Sequence, residues 1–88
     1  MANKITLNVT EIQGTGHCGF GHKPGESFSW PEDVGKICPW VTYTLFPAIT
    51  TLEYGGTFPW GNDPNRTSFC CPDPANPVVV EIVRTEQA

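Results

Sequence analysis

Near the start of the chain apolar and polar residues alternate, with Ile5, Leu7 and Val9 set against Thr6, Asn8 and Thr10. A period of two places the first set on one face of a strand and the second on the other, so residues 4–10 read as a half-buried strand. Near the end, Val78-Val79-Val80-Glu81-Ile82-Val83 is almost unbroken in its apolar character and is the strongest strand signal in the sequence. Val79 and Val83 on its second face predict a central strand, covered on most of both sides. Between these two segments Val41, Leu45, Ala48, Ile49 and Leu52 recur at helical spacing, and Gly55-Gly56 supplies a stop. Val41 to Phe46 is also rich in strand formers, and Pro47 would clash with the carbonyl of Tyr43 inside a continuous helix. The pattern therefore predicts a helix kinked or split at Pro47. Pro39 suits its first position, which makes Cys38 the N-cap.

The remaining segments are weaker. Residues 13–25 hold five glycines and no periodicity, and read as a loop. Lys23-Pro24-Gly25-Glu26 fits a type II turn, with proline and glycine at its two central positions. Ser27 to Trp30 and Thr67 to Cys70 read as short strands. Residues 57–66 and 72–77 are loops of glycine, proline, asparagine and aspartate. The predicted fold is a small α+β domain spanning 1–88. Its antiparallel sheet, with a partial barrel as the alternative, pairs the N- and C-terminal strands and is covered by one helix broken near Pro47.

Composition narrows the function. At 88 residues the chain suffices for one core and not two. Only 16% of residues are charged and the net charge is -4, so five scattered cations offer no footprint for nucleic acid. No apolar run approaches the roughly 20 residues that span a bilayer, so no membrane role is expected. Met1-Ala2-Asn3-Lys4 leads directly into the first strand without an apolar stretch, so the expected compartment is the cytoplasm. There, Cys18, Cys38, Cys70 and Cys71 are expected to be free, metal-bound or redox-active rather than paired in disulfides.

Three places could carry chemistry. The loop Gly16-His17-Cys18-Gly19-Phe20-Gly21-His22 brings two imidazoles and a thiol within six residues, on a backbone free to wrap a small object. Cysteine and histidine are the donors that zinc and iron–sulfur centres use. If the fold gathers the loops, Cys18, Cys38 and Cys70 are the first-choice ligands, with Cys71 and His22 in reserve. Adjacent Cys70 and Cys71 would point to opposite faces of an extended segment, so only one of them serves a given metal. The competing reading is that these thiols are small buried hydrophobes. Cys38 at a helix N-terminus could instead be a nucleophile, its thiolate favoured by the peptide dipoles, if His17 or His22 stands beside it. Lastly, Phe58 and Trp60 after Gly55-Gly56 could form a binding surface, or plug the end of a small core. The carboxylates are dispersed; Glu81 alone stands out, inside the most apolar strand, as a partner for Lys4 or Arg84.

Taken in order, Gly21-His22-Lys23-Pro24-Gly25-Glu26-Ser27-Phe28, Gly35-Lys36-Ile37-Cys38, Tyr54-Gly55-Gly56-Thr57-Phe58-Pro59-Trp60, Cys70-Cys71-Pro72-Asp73 and Pro77 to Ile82 resemble a family of small uncharacterised proteins of mostly anaerobic bacteria and archaea. The resemblance spans nearly the whole chain, and all four cysteines fall at its cysteine positions. It implies a shared cysteine site and an anaerobic cytoplasm, and it implies no reaction. Together these observations lead to the expectation of a small cytoplasmic accessory or binding protein. Its cysteine site would hold a metal ion (zinc or an iron–sulfur cluster) or a reactive thiol. The alternative is an interaction subunit docking through its aromatic Gly-Gly loop, as a homo-oligomer or on a larger protein partner.

Overall fold

The computed structural model describes residues 4–85. Four strands, β1 (Lys4–Ile12), β2 (Ser27–Trp30), β3 (Arg66–Cys70) and β4 (Val78–Thr85), form one antiparallel sheet in the order β2-β1-β4-β3. A short 3-10 turn (Val34–Lys36) and the helix α1 (Pro39–Glu53), the one α-helix among the described residues, connect β2 to β3. The N- and C-terminal strands pair at the centre of the sheet, as the sequence predicts, from Lys4 opposite Thr85 to Ile12 opposite Val78. The fold is α+β, with an open sheet rather than a barrel.

The helix buries the five residues that its spacing selects: Val41, Leu45, Ala48, Ile49 and Leu52. They pack on Ile5, Leu7 and Val9 of β1 and Val78, Val80 and Ile82 of β4 to form the core. Cys38 is the N-cap and Pro39 opens the helix. The helix runs through Pro47 without a break. Pro47 removes one amide donor, but it lies on the exposed side of the helix. Apolar contacts on both sides of it, at Leu45 and Ala48–Ile49, hold the two halves on one sheet face. The helix ends where Gly55 takes φ +87°. Its amide bonds Leu52 O at 3.2 Å, and the Gly56 amide bonds Thr51 O at 2.8 Å, which satisfies two orphan carbonyls.

A bulge sits between Val9 and Glu11 in the β1–β4 ladder. The extra residue, Thr10, resets the alternation so that Ile12, rather than Glu11, packs against the core. Among the described residues no α-helix lies on the second face of the sheet. Val79 and Val83 lie there half-buried, so β4 is central but covered on one side only. A polar chain crosses this open face through all four strands. Ser27 Oγ donates to Asn8 Oδ1 at 2.8 Å, Asn8 Nδ2 to Glu81 Oε1 at 3.3 Å, and Arg66 Nη1 to Glu81 Oε2 at 3.2 Å. Glu81 thus pairs with Arg66 rather than with Lys4 or Arg84. The β3–β4 register places Ser68 opposite it and Arg66 two residues away on the same face.

Candidate functional site

At the end of the sheet where β1 leaves, β4 begins and the helix starts, three separate segments meet. Cys18 comes from the loop after β1, Cys38 from the helix N-cap, and Cys71 from the residue after β3. All three line one cleft of about 390 Å³. Phe20, Trp40 and Asp73 also line it, and Val78 lies buried in its wall. The volume falls in the range of small-ligand sites, about 300–1,000 Å³. All four cysteines are free thiols.

Strand geometry decides which of the adjacent cysteines joins. Cys70 pairs with Val79 on the open face and is exposed. Cys71, one residue on, turns to the helix side and is buried. It exchanges two hydrogen bonds with Val78: the Cys71 amide donates to Val78 O at 3.0 Å, and the Val78 amide donates to the side-chain Sγ of Cys71 at 3.3 Å. The two cysteines therefore point to opposite faces as expected, but the cleft takes Cys71 and not the first-choice Cys70. Phe69 carried the signal: it packs toward the core, and Cys71 shares its parity.

His22 is buried behind the cleft, between the rings of Phe20 (5.0 Å) and Phe28 (5.5 Å). Its Nε2 accepts the Cys38 amide at 3.1 Å, and its Nδ1 lies 2.8 Å from Glu26 Oε1. An acceptor needs a free lone pair, so the ring proton sits on Nδ1 and is donated to Glu26. Both nitrogens are thus engaged within the protein, and His22 orients the Cys38 backbone instead of facing a ligand. Burial works against ionisation of Glu26. Hydrogen bonds from the Lys23 amide and His22, with the charge of Lys23, outweigh that and hold the carboxyl below its usual range. The Lys23–Glu26 turn that presents both groups has Gly25 at φ +95°, as a type II turn requires. His17 is exposed in the loop, away from these contacts.

The loop carrying Cys18 is fastened to the one after Cys71. Asn76 Oδ1 accepts both the Thr15 amide and the Thr15 hydroxyl, each at 2.8 Å, and the Gln13 amide bonds Pro77 O at 2.9 Å. Gly14 is what allows this approach. A Cβ there would stand 2.0 Å from the Ala75 carbonyl oxygen. Among the described residues, no group of three or more His, Cys, Asp or Glu side chains is arranged to hold a metal ion as it stands. The thiols line the walls of an open cleft and do not close on one point.

Phe58 and Trp60 lie elsewhere, at the β3 edge. Their rings stack at 5.0 Å and both meet Phe69, at 6.0 and 6.3 Å. Trp60 Nε1 donates to Thr67 Oγ1 at 3.0 Å. Beside them Arg84 donates to four acceptors: Leu52 O (3.1 Å), Gly56 O (2.7 Å), Pro64 O (2.8 Å) and Asn65 Oδ1 (3.1 Å). The sequence signals no such role for Arg84, since its acceptors are mostly backbone carbonyls of a loop. Trp40, too, stood outside the sequence-based candidates, because a helical residue next to a proline carries no mark of a cleft.

No family model, curated protein or solved structure matches this chain. Among the described residues no helix is long and apolar enough to cross a membrane.

Proposed function

We propose that this protein is a small cytoplasmic accessory protein that binds a thiophilic ligand in the cleft of Cys18, Cys38 and Cys71. One observation carries the reading: thiols from three distant segments line a single cleft of about 390 Å³, while the fourth, Cys70, is left on the opposite face. Soft thiolates select zinc, monovalent copper and iron–sulfur clusters. Because no three of these donors are arranged around one point, the cleft favours a cluster, or an ion reached after a small closure of the Cys18 loop, over a bare ion in the present arrangement. The same cleft with no metal would be the seat of a reactive thiol, with Cys38 held by His22 through its backbone.

Elemental analysis of anaerobically purified protein, with thiol titration before and after denaturation, tests the proposal. The expected result is bound metal, Cys70 titrating freely in the native state, and all four thiols titrating once the chain unfolds. Metal-free protein whose Cys38 alkylates faster than a free thiol at neutral pH supports the reactive-thiol form. Metal-free protein with four equally accessible thiols overturns both.

A further inference from the structure

A surface helix normally turns charged residues to solvent. In α1 Glu53 is the single charged residue, and it stands at the C-terminal end. The side facing away from the sheet instead presents Trp40, Tyr43, Pro47, Thr50 and, at the C-cap, Tyr54. These positions are separated by three, four, three and four residues, the spacing of a seam along which two helices pack. Phe46 flanks the seam, its ring 6.2 Å from Trp30. Toward the other flank Phe20 and Trp40 both line the cleft. Trp40, Tyr43, Phe46, Tyr54 and Phe20 are between 51% and 85% exposed. With about 200 Å² per aromatic side chain, their uncovered parts come to about 650 Å². A stable dimer buries about 800 Å² on each partner.

We propose that the outer face of α1 is the interface of a homodimer, two copies packing seam to seam across a twofold axis. Three features select a second copy over a foreign protein. The seam carries no charge for an oppositely charged partner to match. It is uncharged from end to end, with aromatic rings at Trp40, Tyr43 and Tyr54 and only Pro47 and Thr50 between them, so it can face its own copy, as a twofold interface must, without a charge mismatch. The exposed aromatic area alone supplies most of what each partner of a dimer needs. The chain's charge of -4 lies almost entirely off this helix, which leaves the contact free of close like-charge repulsion. The aromatic loop of Phe58 and Trp60 is not part of it; those rings already stack on each other and on Phe69. Phe20 and Trp40 belong to both surfaces, so the dimer contact lies against the mouth of the cleft, but it is inferred without reference to the identity of the ligand there.

The test is the mass of the intact protein by light scattering or sedimentation. Reductant is kept present so that exposed Cys70 cannot link two chains. The concentration is about 100 μM, above the micromolar Kd expected of the weakest interfaces of this size. The expected mass is twice that of the 9.6 kDa chain. Tyr43→Glu, at an exposed seam position that no core contact uses, is expected to halve the mass while leaving the far-UV spectrum and melting of the monomer intact. Trp60→Ala, an exposed ring off the seam, is expected to leave the dimer in place. A wild-type monomer overturns the proposal. So does a dimer indifferent to Tyr43→Glu, or one that only Trp60→Ala breaks.

Discussion

Between β1 and β2 the chain runs through five glycines, Pro24 and Phe20; between α1 and β3 it runs through Gly55, Gly56, Gly61, two prolines, Phe58 and Trp60. The residue types are nearly the same, yet the first loop walls a cleft that holds thiols, whereas the second turns Phe58 and Trp60 onto each other and onto Phe69 and borders only a shallow groove of mostly polar residues, among them Asn62, Asp63 and Arg66. The difference lies in what each loop is given to bind. The second loop meets Arg84, whose guanidinium occupies carbonyls at the helix end and across the loop, and Trp60 finds the Thr67 hydroxyl for its one polar atom. Its aromatic rings are spent on each other. The first loop is tied down at its two ends, by Thr15 to Asn76 and by His22 to Glu26 and Cys38. Cys18 and Phe20 between these ties are left to line space. Composition predicts a loop in both cases; the placement of fixed polar partners decides which side chains each loop leaves facing open space.

The sharpest way to break this contrast is at Arg84. Arg84→Met keeps the apolar stem and removes a charged donor from four acceptors. Since hydrogen bonds to charged groups are each worth about 1.5–3 kcal/mol and Arg84 is only partly buried, a loss of about 3 kcal/mol is expected. Urea unfolding reads it as a lowered midpoint, and native-state alkylation of Cys18 and Cys71 should stay at the wild-type rate. Equal loosening of the cleft thiols would show that the two ends are not separately held.

Gly14→Ala strikes the other loop. Its φ of +74° and the close Ala75 carbonyl leave no room for a methyl group, so about 2 kcal/mol of strain is expected. Here the thiols should respond. Cys18 and Cys71 should alkylate several-fold faster than in the wild type, while the Trp60 environment, read by fluorescence, stays unchanged.

The smallest effect is at Glu26. Its pKa is lowered in the folded state, so its carboxylate contributes stability that is fully present above its ordinary value of 4.5 and is lost as pH falls through the lower folded value. Glu26→Gln should flatten that acid limb of the stability–pH profile and leave the profile above pH 4.5 parallel to the wild type. A variant whose acid limb is as steep as before would show that Glu26 is not the group that couples the His22 turn to pH.

Much of the fold was legible because it rests on local periodicity. The alternation in β1, the apolar run of β4 and the helical spacing from Val41 to Leu52 each name their buried face directly. Pro47 misled because its cost is local, whereas the contacts that hold the helix across it come from the sheet. Val79 and Val83 misled because a β-branched run suits both a doubly covered strand and a half-open one. For Glu81 the answer lay in strand order, which no local pattern encodes. At the site, one cleft takes Cys71 beside Cys18 and Cys38, and the choice of Cys71 over Cys70 turned on the parity of β3. The role of His22 turned on which amide its Nε2 would meet.

The opposed directions of Cys70 and Cys71 give the molecule an internal standard. Trypsin cuts after Arg66 and Arg84 and finds no other site between them, so residues 67–84 leave as one peptide bearing both sulfurs. After labelling of the native protein, the ratio of tags at the two neighbouring positions in that single fragment measures how far the cleft is shielded, free of any error in protein concentration or reagent dose.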